Sequence, residues 1–227
     1  MHIYAIGDLH LSFSSDKPMD MFGPAWENHA DRLLSAWEAT ITQDDLVLIP
    51  GDISWAMQLR DALPDLAFIG KLPGKKLLLR GNHDYWWSSL TQVRNALPEG
   101  MYALQNDAFP FGQYAICGTR GWTCPNAGNF TPQDQKIFDR EVQRLALSLG
   151  SLPDGKIPIV MTHFPSYCEP EFDTAFTELF VRYGVQKAVY AHLHGYAHKL
   201  AFIGVRDGVE YVFAAGDYLG FQPIKIV

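Results

Sequence analysis

Short apolar runs alternate with amphipathic stretches along the chain, and polar residues or glycines follow the apolar runs. Five of these runs, at residues 3–7, 46–49, 76–79, 157–162 and 185–191, have the length and the aliphatic content of buried strands. Strands that alternate with helical patterns are typical of the α/β class, which we therefore expect here.

Two stretches have the spacing of amphipathic helices. Apolar residues recur at one helical face between Trp26 and Ile41, namely Trp26, Ala30, Leu33, Leu34, Trp37 and Ile41. A longer helix is predicted to begin near Pro132, because Thr131 can cap it and Asp134 suits its positive N-terminal end, and to end at Gly150.

The C-terminal part of the chain has a different pattern. Residues 200–203, 210–214 and 222–226 are apolar runs without helical spacing, and Asp207-Gly208 lies between the first two as a turn signal. We predict antiparallel β-structure there.

Length and charge limit the kinds of protein that this can be. The 227 residues contain no repeat or linker, so we expect one domain over residues 1–227. The net charge of −7 disfavours a nucleic-acid partner, and no apolar run is long enough to cross a membrane. With no signal peptide visible and three cysteines, too few for a disulfide framework, we expect a cytoplasmic protein with reduced thiols.

Residues that can bind metal ions follow five of the predicted strands. They are Asp8 and His10, Asp52, Asn82 and His83, His163, and His192 and His194. Because ligand sites in α/β sheets gather beyond the carboxyl ends of strands, these side chains are expected to converge. The two i, i+2 pairs would point the same way if their backbone were extended.

The chemistry of this set favours metal ions. Imidazole nitrogens and carboxylate oxygens suit zinc, manganese and iron. These candidates are too many for one four-coordinate ion with an open position, but they suffice for two ions that share a carboxylate. Two adjacent ions are a known arrangement for displacement at phosphorus.

These motifs resemble the five ordered blocks of the calcineurin-like metallophosphoesterase family. The blocks are Asp8-Leu9-His10, Gly51-Asp52, Gly81-Asn82-His83-Asp84, Thr162-His163 and His192-Leu193-His194. Ala191 stands where the family usually has glycine, and Ile53-Ser54-Trp55 follows Asp52 without a further acidic residue, but neither departure removes a ligand. The resemblance implies a four-layer α/β/β/α sandwich of two mixed sheets with flanking helices.

The resemblance also implies a role for each residue. Asp8, His10 and His194 would hold one divalent ion, Asn82, His163 and His192 would hold the other, and Asp52 would bridge them. His83 would be the general acid, and Asp84 would orient it. The implied activity is hydrolysis of phosphate mono- or diesters by a water that the two metal ions (Mn, Fe or Zn) activate.

Other residues and functions stay open at this level. Trp86, within Tyr85-Trp86-Trp87, would either pack in the core or form a wall for a flat leaving group. Arg120 would either bind substrate phosphate or lie in a solvated loop. The alternatives to a hydrolase of small phosphorylated substrates are a non-catalytic metal-site scaffold for protein partners and a nuclease. A scaffold need not retain His83, and a nuclease should have a basic groove.

Overall fold

The apolar runs form the strands of two β-sheets in the computed structural model, which describes residues 1–227. In chain order the strands are β1 (Ile3–Ala5), β2 (Leu46–Ile49), β3 (Lys75–Leu78), β4 (Met101–Ala103), β5 (Phe109–Phe111), β6 (Tyr114–Thr119), β7 (Ile157–Thr162), β8 (Lys187–Tyr190), β9 (Gly204–Arg206), β10 (Val209–Phe213) and β11 (Ile224–Lys225). The helices are α1 (His29–Thr40), α2 (Leu59–Lys71), α3 (Leu90–Ala96), α4 (Pro132–Gly150) and α5 (Ala175–Tyr183).

Both sheets mix parallel and antiparallel pairs. The five-stranded sheet has the order β11-β1-β2-β3-β4, and only β11 runs antiparallel to its neighbour. The six-stranded sheet has the order β5-β6-β7-β8-β10-β9, with β5 and β9 antiparallel at its two edges. The ligand-bearing strands β1, β2, β3, β7 and β8 are parallel within their own sheets, so their carboxyl ends share one edge.

Three apolar clusters divide the molecule into layers. Side chains from both sheets, such as Leu48 of β2 and Ile159 of β7, pack together in one cluster, so the sheets lie face to face. The outer face of the first sheet packs against α1, α2 and α3, where Trp37 of α1 is fully buried. The outer face of the second sheet packs against α4 and α5. The expected α/β/β/α sandwich is therefore confirmed.

Several predicted elements have the expected bounds. Strands β2 and β7 coincide with the predicted runs, and α4 begins after Thr131, whose hydroxyl accepts the Asp134 N–H while Asp134 accepts from Thr131. The Asp207-Gly208 turn joins β9 to β10.

The C-terminal prediction was wrong in two respects. The stretch 200–203 forms no strand, because residues 195–200 make a 3₁₀ turn and β9 begins at Gly204. In addition, β10 pairs in parallel with β8 and β11 joins the other sheet, so the tail is only partly antiparallel.

The expectation of reduced thiols was also wrong for two cysteines. Cys124 and Cys168 form a disulfide with Cα atoms 5.5 Å apart, whereas Cys117 is a free buried thiol. The bond joins the segment after β6 to the segment after β7, which are 44 residues apart in sequence. No helix is long and apolar enough to span a membrane.

Candidate metal centre

Tight turns at the ends of β2 and β3 bring the ligand candidates together. Gly51 has a φ of 92°, and a Cβ atom there would lie 2.7 Å from Nδ1 of His163 and 2.7 Å from the Cα atom of Gly81. Only glycine tolerates that approach. The two glycines of these motifs therefore allow Asp52 and His163, from different sheets, to face one another.

The backbone at four ligand candidates is left-handed. Asp8, His10, Asp52 and His192 have φ values of 53°, 43°, 51° and 76°. The expectation that the i, i+2 pairs converge through extended backbone was therefore wrong: each chain segment turns sharply at the strand end. Such conformations are uncommon for residues other than glycine and cluster at functional sites.

Two overlapping groups of side chains have the spacing of metal sites. Asp8, His10 and His194 each offer a ligand atom within 4.8 Å of the others, and Asp8, Asp52 and His163 do the same. The second group is extended by Asn82, whose Oδ1 lies 2.6 Å from His163 Nε2, and by His192, whose Nδ1 lies 3.2 Å from that atom. All seven predicted ligands thus lie at one place.

The protonation of His163 follows from its contacts. Its Nδ1 lies 2.8 Å from the carbonyl oxygen of Pro50, which can only accept, so Nδ1 carries the proton and Nε2 has a free lone pair. That lone pair faces the Asn82 oxygen, and Asp52 Oδ2 is 3.5 Å away. Three acceptors, His163 Nε2, Asn82 Oδ1 and Asp52 Oδ2, therefore face one volume.

Two carboxylate oxygens are also buried acceptors that no donor reaches. Asp8 Oδ1 and Asp52 Oδ2 are buried and have no hydrogen-bond partner. A buried charged oxygen without a partner is costly, and a cation would satisfy it. The donor set of nitrogen and oxygen atoms thus fits divalent metal ions.

Burial controls the charge of these groups. It lowers the pKa of His163 to about 3 and lowers the pKa of His10 and His192 well below the usual value, so these imidazoles are neutral and able to bind metal. Burial also raises the pKa of Asp8 well above its usual value and raises that of Asp52. A bound cation would favour the ionised form of both carboxylates.

Asp217 is a member of the site that the sequence did not reveal. Its Oδ1 accepts a hydrogen bond from His194 Nδ1 at 3.0 Å, which leaves His194 Nε2 directed towards Asp8. Its Oδ2 lies 3.0 Å from Nε2 of His198. A carboxylate behind a ligating histidine fixes its tautomer and orientation. Burial opposes the charged form of His194, but the carboxylates of Asp8 and Asp217 raise its pKa to about 9.

The expected contact between Asp84 and the imidazole of His83 is absent. Asp84 instead accepts hydrogen bonds from the N–H groups of Gly81 and Ile53 and from Trp86 Nε1, at 2.7–2.8 Å, because it lies behind the strand ends. It therefore holds the two ligand-bearing loops together. His83 is tied to the site through its own N–H, which donates to Asp52 Oδ1 at 2.8 Å.

Of the two roles left open for Trp86, the structure shows packing in the core, so its assignment as a substrate contact is not retained. Its side chain is only 1% exposed and packs in the core beside Trp87. Trp55 is the aromatic side chain near the candidate acid: its ring centroid lies 4.7 Å from that of His83 and 4.8 Å from that of His10, on which it stacks. Sequence reasoning missed Trp55, although it follows Asp52 by three residues.

Arg120 lies beside the ligand loops. Its carbonyl oxygen accepts hydrogen bonds from the N–H groups of His163 and Phe164, at 3.1 and 3.0 Å, and its guanidinium lies over the ring of Trp122. The side chain is 14% exposed, so Arg120 is not a solvated loop residue.

An apolar cavity of about 300 Å³ adjoins the centre on the His192 side. Its walls include Trp122, Phe164 and Leu193, and the ring of Phe164 lies 4.0 Å from that of His192. The disulfide cysteine Cys124 also lines it.

The sandwich of two mixed sheets, with candidate metal ligands clustered at the strand ends, agrees with the comparison with known families. The chain belongs to the calcineurin-like phosphoesterase family, whose model matches residues 1–196. A stretch of 77 residues is 34% identical to the Gene 66 protein of Mycobacterium phage L5. That match covers 34% of this chain and 37% of the phage protein, so it spans only about a third of the relative's length.

Solved structures share the fold at low sequence identity. The phosphopantetheinyl hydrolase PptH of Mycobacterium tuberculosis superposes with a TM-score of 0.62 at 15% identity, over 100% of this chain and 95% of that one. The protein AQ665 of Aquifex aeolicus, described as having unknown function, superposes with a TM-score of 0.54 at 15% identity, over 99% and 95% of the two chains.

Proposed function

We propose that the protein hydrolyses phosphate mono- or diesters of small molecules at a centre that holds two divalent metal ions. Family membership supports hydrolysis of phosphoesters in general. The observation that carries the two-metal proposal is the convergence of buried, unpartnered acceptors, among them Asp8 Oδ1 and Asp52 Oδ2, with neutral imidazoles around them.

The ligands divide between two positions. Asp8, His10 and His194 would hold one ion, and Asn82, His163 and His192 would hold the other. Asp52, which lies 3.7 Å from His10 and 3.5 Å from His163, would serve both. When bound, such ions activate water and neutralise charge on the phosphoryl oxygens. Manganese, iron and zinc all suit these ligands.

The chain's own groups would position the substrate and supply a proton. In this proposal His83 donates a proton to the departing oxygen. The ring of Trp55 and the hydrogen bond from the His83 N–H to Asp52 restrict where the imidazole can lie. Asp84 acts indirectly: it accepts hydrogen bonds from the N–H groups of Gly81 and Ile53 and thereby fixes the loops that carry His83 and Asp52.

The apolar cavity beside His192 would take the leaving group. Its walls are mainly apolar, among them Trp122, Phe164 and Leu193, and Glu169 is the acidic residue in the lining, which suits an uncharged organic alcohol better than an anionic one. The name of the M. tuberculosis neighbour makes an ester of phosphopantetheine one sensible member of a substrate panel. We propose that one domain over residues 1–227 carries the activity in the cytoplasm, which cell fractionation would test.

The test is restoration of activity to metal-stripped protein. Manganese, iron or zinc is added back in turn, and hydrolysis of aryl phosphates, alkyl phosphates, diesters and oligonucleotides is measured. We expect activity on small esters that saturates as metal content approaches two ions per chain. Full activity at one ion or none would refute the two-metal proposal. Metal binding without hydrolysis would favour the scaffold function, and a preference for oligonucleotides would favour a nuclease.

A further inference from the structure

Three arginines surround a small pocket next to the candidate metal centre. Arg80, Arg120 and Arg144 line it together with Glu141, Gln105, Asn106 and Thr119, and we call this set the arginine pocket. Only two of the ten lining residues are hydrophobic. The pocket is therefore polar and electropositive, although the chain as a whole has a net charge of −7.

The protein provides one carboxylate for these charges. Glu141 is fully buried and accepts from Arg144 Nη1 at 2.9 Å and from Thr119 Oγ1 at 2.7 Å. Arg140 Nε and Arg120 Nη2 lie 3.5 and 3.8 Å from its Oε1, so three guanidinium groups share one negative charge. Arg80 adds a fourth positive charge at the pocket wall.

Two of the guanidinium groups have unused donors. The Nε atoms of Arg80 and Arg120 are buried and have no hydrogen-bond partner. Buried donors of charged groups are normally satisfied, and leaving them unpaired is costly. Burial lowers the pKa of Arg120 to about 10; Glu141 raises it, and the charges of Arg80, Arg140 and Arg144 lower it. The like charges thus repel one another, which a bound anion would relieve.

Two of the four chain segments that line the pocket also contact the candidate metal centre. Arg80 directly precedes Gly81 and the ligand candidate Asn82. Arg120 follows β6, and its carbonyl oxygen accepts from the N–H of His163. An anion in the pocket would therefore be bound by residues adjacent to the ligand candidates Asn82 and His163.

We propose that the arginine pocket binds a second phosphate group of the substrate, so that the preferred substrates are small molecules with two phosphate groups. The inference rests on the proposed function for the position of the first phosphate. Guanidinium groups pair with phosphate oxygens through two parallel hydrogen bonds, which gives both affinity and orientation.

Two measurements test the inference. First, binding of inorganic phosphate to chelator-treated protein is measured by calorimetry, without any need for activity. Arg80→Gln and Arg144→Gln should each weaken binding about tenfold or more, because each removes a charge-assisted contact. Arg140→Gln is the matched control: Arg140 contacts Glu141 but is 52% exposed and does not line the pocket.

Second, alkyl diphosphonates with spacers of different length are compared with alkyl monophosphonates as inhibitors of aryl phosphate hydrolysis by the metal-loaded protein. The best diphosphonate should inhibit more strongly than its monophosphonate, and Arg80→Gln should remove that advantage while Arg140→Gln keeps it. Arg80 makes no contact with Glu141, so Arg80→Gln leaves the buried carboxylate with its partners. The test can therefore rely on Arg80→Gln if Arg144→Gln fails to fold.

The outcomes separate the inference from the proposed function. Phosphate binding that is absent, or equal in all variants, overturns the pocket. Arginine-dependent phosphate binding without an advantage for any diphosphonate overturns the substrate class and leaves a site for free phosphate. Arginine-dependent binding in a protein that hydrolyses no ester refutes the proposed function and supports the pocket as an anion site.

Discussion

Asp217 allows a sharp test of how the metal centre is supported, because it contacts a ligand candidate without being one. Its side chain is only 2% exposed and accepts from His194 Nδ1 at 3.0 Å and from the N–H of Gly195 at 3.2 Å. Asp217→Asn retains an oxygen acceptor but removes the charge, and Asp217→Ala removes both. The two variants therefore separate the effect of charge from that of orientation.

The magnitude follows from the geometry. Loss of the carboxylate that orients a metal-binding histidine lowers metal affinity about 10- to 100-fold, or roughly 1.4–2.7 kcal/mol. We expect Asp217→Ala near the upper value and Asp217→Asn near the lower one. Because His194 belongs to the group with Asp8 and His10, the loss should affect one ion, and the other should keep its affinity.

Competition with a chromogenic chelator measures both affinities, and elemental analysis gives the number of ions per chain. Asp207→Asn is a suitable control, because Asp207 is 60% exposed and lies in the turn before β10. Wild-type affinity in Asp217→Ala, or an equal loss at both ions, would show that Asp217 does not support His194 in the proposed way.

Three further predictions concern the bridge, the acid and a buried lysine. Asp52→Asn should lower metal occupancy and rate more than His10→Asn, since one carboxylate charge serves both ions; equal losses measured by metal analysis and kinetics would contradict the bridge. His83→Ala should keep both ions and slow hydrolysis of alkyl esters about 10²–10⁴-fold but aryl esters far less, since an aryl oxygen leaves without a proton; equal slowing would rule out the acid role. Lys76 is 2% exposed, and burial lowers its pKa from 10.5 to about 8. The folded protein thus loses this proton near pH 8, whereas the unfolded chain loses it near pH 10.5. From pH 7 to 9.5 the unfolding free energy of the wild type should therefore rise by about 2 kcal/mol relative to that of Lys76→Met. Urea denaturation that gives the same difference between the two proteins at both pH values would refute this.

The sequence predicts the centre of the fold well, because strands buried on both faces are continuous apolar runs. Strands β2 and β7 could be placed to the residue for this reason, and the polar residues that follow them marked the site. A strand was wrongly predicted at residues 200–203 because that run is apolar. The chain there instead ends the 3₁₀ turn that places His198 beside Asp217. Local pattern carries no information about that tertiary contact.

Features that depend on distant segments could not be predicted. Asp217 lies outside the recognisable motifs, and nothing near it in sequence signals its contact with His194. The disulfide could not be predicted for a similar reason, because an odd number of cysteines does not indicate which two lie close together. Asp84 was misassigned because adjacency to His83 in sequence does not decide which atoms its carboxylate reaches.

The left-handed backbone at Asp8, His10, Asp52 and His192 means that the centre is held together against the local preferences of its own residues. Each such position costs about 1 kcal/mol or more that glycine would not incur. Glycine at Asp8 would relieve this strain and remove a ligand candidate, but it would also leave the His192 N–H without its acceptor, Asp8 Oδ2, which lies 2.9 Å away. Alanine at the same position would lose the same side chain and keep the strain, so the difference in unfolding free energy between the glycine and alanine variants measures the strain.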